Sequence, residues 1–277
     1  MEKMARAHKG SRISGSPAHR LRRRAVLGAS LGLGFAPPAR ARIQTLGEAI
    51  DKAGAQRMLS QRMGKAWLGQ VHPELADRAR SVLQGSVERF ERQLGELLAF
   101  APVPHIAISY KALESRFAGY RKLLQATPQR ERVNELLATS GEVLALADAA
   151  TAQLQDRSRA ATAKLVNVSG RQRMLSQRLA LFFLAHQQGA RPELVRREMT
   201  QARAEFEAGM RLLEAAPEAV PAIRENLQIA SNQWLFLQSA LAGRSEGDKA
   251  ASNVFVASEN LLAVMETVTG QFARQLA

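Results

Sequence analysis

The stretch QRMLSQR occupies residues 56–62 and occurs a second time, letter for letter, at residues 172–178. Each copy lies two residues after a glycine, Gly54 or Gly170, and a small residue precedes that glycine. The two copies are 116 residues apart, which is longer than the repeats of solenoid proteins. The spacing therefore predicts two copies of a whole small domain.

Prolines and apolar spacing divide both halves of the chain in the same way, and the periodicity between the prolines is helical. The prolines that open or end the predicted helices correspond between the halves: Pro73 with Pro192, Pro102 and Pro104 with Pro217 and Pro221. Proline is tolerated in the first turn of a helix and stops a helix elsewhere. We therefore expect an all-α protein of two tandem four-helix-bundle units, at residues 42–156 and 157–277.

The connection between the two units is also expected to be helical. Neither proline nor glycine lies between Glu142 and Ser169. The sequence thus favours one continuous helix from Pro128 to Gln188, about 90 Å long at 1.5 Å per residue. Such a rod would stack the bundles end to end, whereas a kink near residues 156–158 would place them side by side.

Residues 1–41 are expected to form an export signal outside the fold. A basic segment ending in Arg23-Arg24 precedes a Gly-rich apolar run and an Ala-x-Ala site at residues 39–41. The arginine pair and the Val-Leu that follows it favour the twin-arginine pathway. A Sec signal and an uncleaved membrane anchor are the alternatives. No later stretch is long and apolar enough to cross a membrane, which predicts a soluble periplasmic protein after cleavage.

The composition argues against several classes of function. The formal charge is +14, but residues 1–41 hold nine basic residues and one acidic residue, which leaves only +6 for the remainder. With 5% aromatic residues, that surface is not typical of a nucleic-acid-binding protein. The absence of cysteine excludes disulfides and thiolate-bound metals. No metal spacing, nucleophile or acid-base pair stands out, so we expect neither a cofactor nor an enzyme.

Each copy of the repeated stretch places an arginine and a glutamine on an apolar stripe of small residues. The preceding glycine would let a neighbouring helix approach closely, and the serine adds a hydrogen-bond donor. The candidate ligand-binding residues are Arg57, Ser60, Gln61, Arg173, Ser176 and Gln177, with Gly54 and Gly170 as close-packing positions.

Burying an unpaired guanidinium is costly, so both stripe arginines need a partner. One hypothesis is a permanent ion pair with an acid such as Glu142 or Glu259. The other is a small planar oxyanion, because the rigid guanidinium fork makes two parallel hydrogen bonds. The second arginines of the repeat, Arg62 and Arg178, lie about 140° round the helix and are expected to be solvated or to lie at the rim of an interface.

Residues 53–63 and 169–179 resemble the signature of the PilJ/NarX-type sensor domain. This is the extracytoplasmic N-terminal domain of type IV pilus methyl-accepting chemotaxis transducers and of nitrate/nitrite sensor kinases. The resemblance covers nearly all of the chain after residue 41 as two copies, and it implies four-helix bundles. In the nitrate sensors, the arginine at the positions of Arg57 and Arg173 binds the anion where two such helices meet at a dimer interface. Those sensors have hydrophobic and aromatic residues where this chain has Gln56 and Gln61.

The resemblance implies an exported, non-enzymatic sensory module that recognises a small oxyanion, with nitrate and nitrite as candidates. Because the sequence shows no HAMP, kinase or methyl-accepting region, the signal is expected to reach a membrane sensor kinase or chemoreceptor. A side-by-side fold would let one chain imitate a receptor dimer, whereas a rod would require a homodimer. The alternative function is a helical scaffold or interaction protein of the cell envelope with no small-molecule ligand.

Overall fold

The computed structural model of the protein describes residues 42–243 and 247–276, so the predicted export signal lies outside the described residues. Eight α-helices and one short 3₁₀ turn, without a strand, account for the regular structure of these two ranges, which confirms the all-α prediction. The helices are α1 (Leu46–Gly69), α2 (Ala76–Phe100), α3 (Pro104–Gln125), α4 (Val133–Gln155), α5 (Ala161–Gln187), α6 (Pro192–Glu214), α7 (Pro221–Leu241) and α8 (Gly247–Gln275).

Several helices begin at residues that favour the start of a helix. Proline occupies the first turn of α3, α6 and α7. Thr45 caps α1 by accepting a hydrogen bond from the Glu48 N–H at 3.1 Å. In contrast, α2 does not begin at Pro73 but three residues later, at Ala76. Residues 71–75 form turns instead, in which the Leu75 N–H donates to the His72 carbonyl at 2.9 Å.

The predicted continuous helix between the two halves is wrong. Helix α4 ends at Gln155 and α5 begins at Ala161, with a surface turn between them. In that turn the Ser158 N–H donates to the Gln155 carbonyl at 2.9 Å, and the Ser158 hydroxyl accepts from the Ala160 N–H at 3.2 Å. A serine side chain that bonds nearby backbone competes with the helical ladder, so a break needs neither proline nor glycine.

The helices form two rings of four. Helices α1 to α4 pack in cyclic order around one another, as do α5 to α8, and each ring contains one copy of the repeated stretch. Helix α1 also packs along α5, and α8 reaches across to α1. The two rings are therefore side by side and joined mainly through α1 and α5. Of the 24 residues of α1, 19 are buried, as expected for a helix covered on two faces.

The repeat extends into the packing of the cores. Phe90 stacks on Phe117 in the first ring, with ring centroids 4.0 Å apart, and Phe206 stacks on Trp234 in the second, at 4.2 Å. Among the described residues, no helix is both long enough and apolar enough to cross a membrane.

Candidate functional site

Helix α1 crosses α5 in close contact at Gly54 and Gly170. A Cβ atom added to Gly54 would lie 3.8 Å from the Gly170 Cα, and one added to Gly170 would lie 3.9 Å from the Gly54 Cα. Both are ordinary van der Waals distances, so a Cβ at either position would already touch the opposite backbone, and a side chain longer than that of alanine would need the helices to move apart. The structure places both glycines at a point of close helix packing.

The guanidinium groups of Arg57 and Arg173 converge on this crossing. After Trp67, these are the largest fully buried side chains of the described residues, with 0% and 1% of their surface exposed. The Nη2 atom of each arginine lies 3.2 Å from the Cβ position of its own helix's glycine and 3.4 Å from that of the other helix. The two cationic groups therefore share one buried space between the rings.

Each arginine bonds to the opposite motif helix at an equivalent place. The Arg57 Nη2 donates to the Asn167 carbonyl at 3.2 Å, and the Arg173 Nη2 donates to the Asp51 carbonyl at 3.1 Å. Asp51 and Asn167 are themselves 116 residues apart, so the contacts follow the repeat. The arrangement at the crossing is thus close to two-fold symmetric.

Carboxylates partly compensate the two buried charges. The Arg57 Nη1 donates to Asp148 Oδ1 at 2.6 Å, and the Arg173 Nη2 lies 2.7 Å from Asp51 Oδ1. The aspartate side chains are 39% and 28% exposed, so each reaches the site from its rim. The expected partners Glu142 and Glu259 bind other cations, because the register between helices decides which acid faces the crossing.

A third arginine binds Asp148, the aspartate that pairs with Arg57. Arg171 donates to both Asp148 oxygens, at 2.8 and 3.0 Å. Burial lowers the pKa of Arg57 to about 10 although Asp148 raises it, and the charges of Arg171 and Arg173 lower it further. Burial raises the pKa of the Asp148 carboxyl, but Arg57 and Arg171 outweigh this and hold it below its usual range. Arg57 and Asp148 are therefore both charged at neutral pH.

Both buried arginines keep an unused donor. The Nε atoms of Arg57 and Arg173 are buried, and neither has a hydrogen-bond partner among the described residues. Buried N–H groups without partners are rare, because each one costs about 1 to 3 kcal/mol. Two of them at equivalent positions mark the crossing as unusual.

The motif serines and glutamines point elsewhere. The Gln61 Nε2 donates to the Ser140 carbonyl of α4 at 3.3 Å, and the Gln177 Nε2 donates to the Ser258 carbonyl of α8 at 2.9 Å. The serine hydroxyls donate to the arginine carbonyls one turn earlier, Ser60 to Arg57 at 2.7 Å and Ser176 to Arg173 at 2.8 Å. The two glutamines therefore tie each motif helix to another helix of its own ring, whereas the two serines bond within the motif helix itself, and none of the four bonds to the guanidinium of Arg57 or Arg173.

The second arginine of the first repeat belongs to another buried cluster, between α1 and α8. Arg62 donates to both oxygens of Glu259, at 3.0 and 2.5 Å. The Lys65 Nζ donates to the same carboxylate at 2.6 Å and lies 4.2 Å above the Phe255 ring. Arg62 is thus paired, with 19% of its side chain exposed, so of the two expected situations it has the one at the rim of an interface and not that of a solvated charge.

Lys65 and Glu259 in this cluster have shifted pKa values. Burial lowers the pKa of Lys65 to about 8 although Glu259 raises it. For Glu259, burial raises the pKa, but Lys65 and Arg62 outweigh this and lower it to about 2. The sequence predicted neither this lysine nor the two aspartates at the crossing. Aligning residues 116 apart would have drawn attention to Asp51, which lies opposite Asn167 in the repeat.

In the part of the chain that the structure describes, no group of three His, Asp or Glu residues is arranged to hold a metal ion. Comparisons with curated proteins and with solved structures give no match. A comparison with protein-family models matches residues 41–152 and residues 155–256 to PilJ, the type IV pili methyl-accepting chemotaxis transducer N-terminal domain. Each match contains one copy of the repeated stretch. The chain therefore belongs to the PilJ family, as the resemblance predicted, and it carries two tandem copies of the domain.

Proposed function

We propose that this chain is a sensory module that recognises a small oxyanion, with nitrate and nitrite as candidates, where α1 crosses α5. PilJ domains are sensory modules of chemotaxis transducers. The observation that carries the proposal is the pair of buried guanidinium groups with unpartnered Nε atoms. A planar oxyanion accepts parallel hydrogen bonds from such a fork and would supply the missing partners.

The charge balance at the crossing supports an anionic ligand. Three arginines, Arg57, Arg171 and Arg173, meet two aspartates, Asp51 and Asp148. The nearest further acid, Glu205, approaches only Arg171, at 3.6 Å. Like charges in a buried site repel strongly, and a bound anion would reduce this repulsion.

The position of the site between the rings would couple ligand binding to the way in which the rings pack. One guanidinium comes from each ring, so a ligand held by both arginines would draw α1 and α5 together and stabilise one arrangement of the rings. We propose domain limits of residues 42–156 and 157–277, export by residues 1–41 to the periplasm, and a membrane chemoreceptor or sensor kinase as the recipient of the signal. Both half-sites lie in one chain, so this function needs no homodimer.

A second candidate function has its own observation. Each buried arginine already has a carboxylate partner without any ligand, Arg57 with Asp148 and Arg173 with Asp51. They favour a helical scaffold or interaction protein of the cell envelope, in which the arginines only fix how the rings pack.

Titration of the full chain with nitrate and nitrite, at constant ionic strength, separates the two functions. A ligand that binds the folded state raises the melting temperature and gives heat in calorimetry. Arg57→Lys and Arg173→Lys keep the charge but lose the fork, so we expect each to lose this response. Arg196→Lys, at an arginine whose side chain is 70% exposed on α6, is the matched control and should respond like the wild type.

Two outcomes would overturn the oxyanion proposal. One is the absence of any rise in melting temperature at millimolar nitrate and nitrite. The other is an unchanged response in both lysine variants. The first result leaves the scaffold function, and the second would place anion binding away from the crossing.

A further inference from the structure

Some pairs of equivalent positions depart from the two-fold relation between the rings, and one of them leaves an open space. Since Gln61 binds the Ser140 carbonyl and Gln177 binds the Ser258 carbonyl, these two serines are structurally equivalent. The next residue is glycine in α4 but glutamate in α8. A Cβ atom added to Gly141 would meet nothing within 4 Å. The place that a glutamate side chain fills on one side is therefore open on the other.

The missing carboxylate matters because of the arginine that it would face. On the filled side, Glu259 receives both Nε and Nη2 of Arg62. The equivalent arginine on the open side is Arg178, which lines the same cleft as Gly141. Arg178 donates from Nη1 to the Gln61 side chain at 2.8 Å and from Nη2 to Glu198 at 2.5 Å. These bonds use two of its five N–H donors, so donors remain for another acceptor.

The open space is a cleft of about 220 Å³ between α4 and α6, with α5 as its floor. Its apolar lining includes Leu144, Met174 and Leu175. Its charged lining consists of Asp148, Arg171, Arg178, Glu198 and Glu205. A concave apolar surface with a few convergent polar groups is typical of a small-molecule site, and this volume is below that of pockets for drug-sized ligands.

The charges of the lining decide the class of ligand. Three carboxylates and two guanidinium groups give a net charge of −1, which disfavours a simple anion. We infer that the cleft over Gly141 binds a small zwitterionic aminocarboxylate. Its carboxylate accepts from the N–H donors of Arg178 that Gln61 and Glu198 leave unused, and its cationic nitrogen faces the acids of α6, Glu198 and Glu205.

This site is separate from the oxyanion site and does not rest on the function proposed for it. The two sites touch through Asp148, which lines the cleft and also binds Arg57, and through Arg171, which lines the cleft and binds the same aspartate. A ligand in the cleft that moves this aspartate would change the charge compensation of Arg57.

The repeat itself supplies the decisive variant. Gly141→Glu places in α4 the carboxylate that α8 has at the equivalent position, so it should pair with Arg178 and close the cleft while the protein stays folded. Gly85→Glu is the matched control, since Gly85 is exposed on α2 and a Cβ there also meets nothing within 4 Å. Arg178→Lys is a second variant, which keeps the charge but loses the fork.

The probes are L-alanine, L-glutamine and glycine betaine, with propionate and propylamine as compounds that carry only one of the two charges. Calorimetry and melting of the full chain should show binding of at least one zwitterion to the wild type and to Gly85→Glu. We expect no binding to Gly141→Glu, and binding weaker by about tenfold or more in Arg178→Lys, since a hydrogen bond to a charged group is lost.

Three results would overturn the inference. They are no binding of any of the three zwitterions at millimolar concentration, undiminished binding to folded Gly141→Glu, and equal binding of propionate or propylamine. Because the oxyanion test uses nitrate with variants of Arg57 and Arg173, each proposal can fail without the other.

Discussion

At the scale of single residues, two glycines determine how near the buried arginines come to each other. Gly54 and Gly170 leave room for the Nη2 atoms of Arg57 and Arg173, each of which lies 3.2 to 3.4 Å from the positions where Cβ atoms would be. A methyl group at the crossing must therefore move a guanidinium nitrogen by a few tenths of an ångström, away from the carbonyl and carboxylate oxygens that hold it.

The substitution Gly54→Ala should therefore destabilise the protein, by about 1 to 3 kcal/mol. Gly95→Ala is its control, since Gly95 lies inside α2 and a Cβ there meets nothing within 4 Å. In a helix interior without a steric conflict, alanine is better than glycine by about 0.5 to 1 kcal/mol. Urea unfolding should thus give free energies that change in opposite directions. A stabilised Gly54→Ala protein would show that the crossing is not tightly packed.

The stripe positions of these arginines could be predicted from the sequence, because helical spacing alone assigns residues to a face. Their partners could not be predicted. Asp148 reaches Arg57 from α4, and Asp51 reaches Arg173 from α1, by a register that only the packing of several helices determines. The same limit hid the pairing of Arg62 with Glu259.

At the scale of helices, two carboxylates of α8, Glu259 and Glu266, bind cations of the neighbouring ring, and Glu259 is the more buried of the two. Glu259 receives Arg62 and Lys65, both from α1. The lysine is fully buried, so its charge depends on this partner. Removing one member of a buried ion pair leaves an uncompensated charge, which is strongly destabilising.

Glu259→Gln should lower stability at neutral pH and also change the response to acid. The pKa of Glu259 is about 2, below its ordinary value of 4.5. Its ionised form is thus favoured by folding, and its contribution is present above about pH 4.5 and is lost as the pH falls towards 2. Free energies of unfolding measured from pH 3 to 7 should fall less steeply with acid in the variant than in the wild type.

The control for this experiment is Glu88→Gln, at an exposed position of α2, which should keep the acid response of the wild type. If Glu259→Gln and the wild type instead lose stability in parallel between pH 4.5 and 3, then Glu259 is not held ionised by Lys65 and Arg62.

Proline marked the helix boundaries only in part. Pro192 opens α6 as expected, but α2 begins three residues after Pro73 and α4 five residues after Pro128. The break at residues 156–160 rests on an exposed serine turn and on the packing of α5 along α1, which buries a second face of both helices. The free energy gained by burying this apolar surface exceeds the gain from continuing one helix through the turn. Such packing between distant helices cannot be predicted from the local sequence.

At the scale of the molecule, the two rings depend on one another. Helices α1 and α5 pack together along their lengths, and the buried Arg57 and Arg173 each bond to the opposite ring. Unfolding one ring alone would expose the motif helix of the other, together with its buried cation.

We therefore expect one cooperative unfolding transition for the full chain. Scanning calorimetry should give a ratio of calorimetric to van't Hoff enthalpy near one. A control variant at the surface, Arg196→Lys, should leave this ratio unchanged. Two resolved transitions would mean that the rings are energetically independent and that their contact is weak.

The turn that joins α4 to α5 is only five residues long, 156–160. This short connection makes the contact between the rings independent of how many copies of the protein a cell contains. A tether of this kind confines two binding partners to an effective concentration on the order of millimolar. The contact between α1 and α5 therefore survives any dilution, whereas a site shared by two separate chains is lost when copies are scarce. In this protein the proposed oxyanion site would be complete in every molecule, and its occupancy would follow the ligand concentration and not the number of copies in the cell.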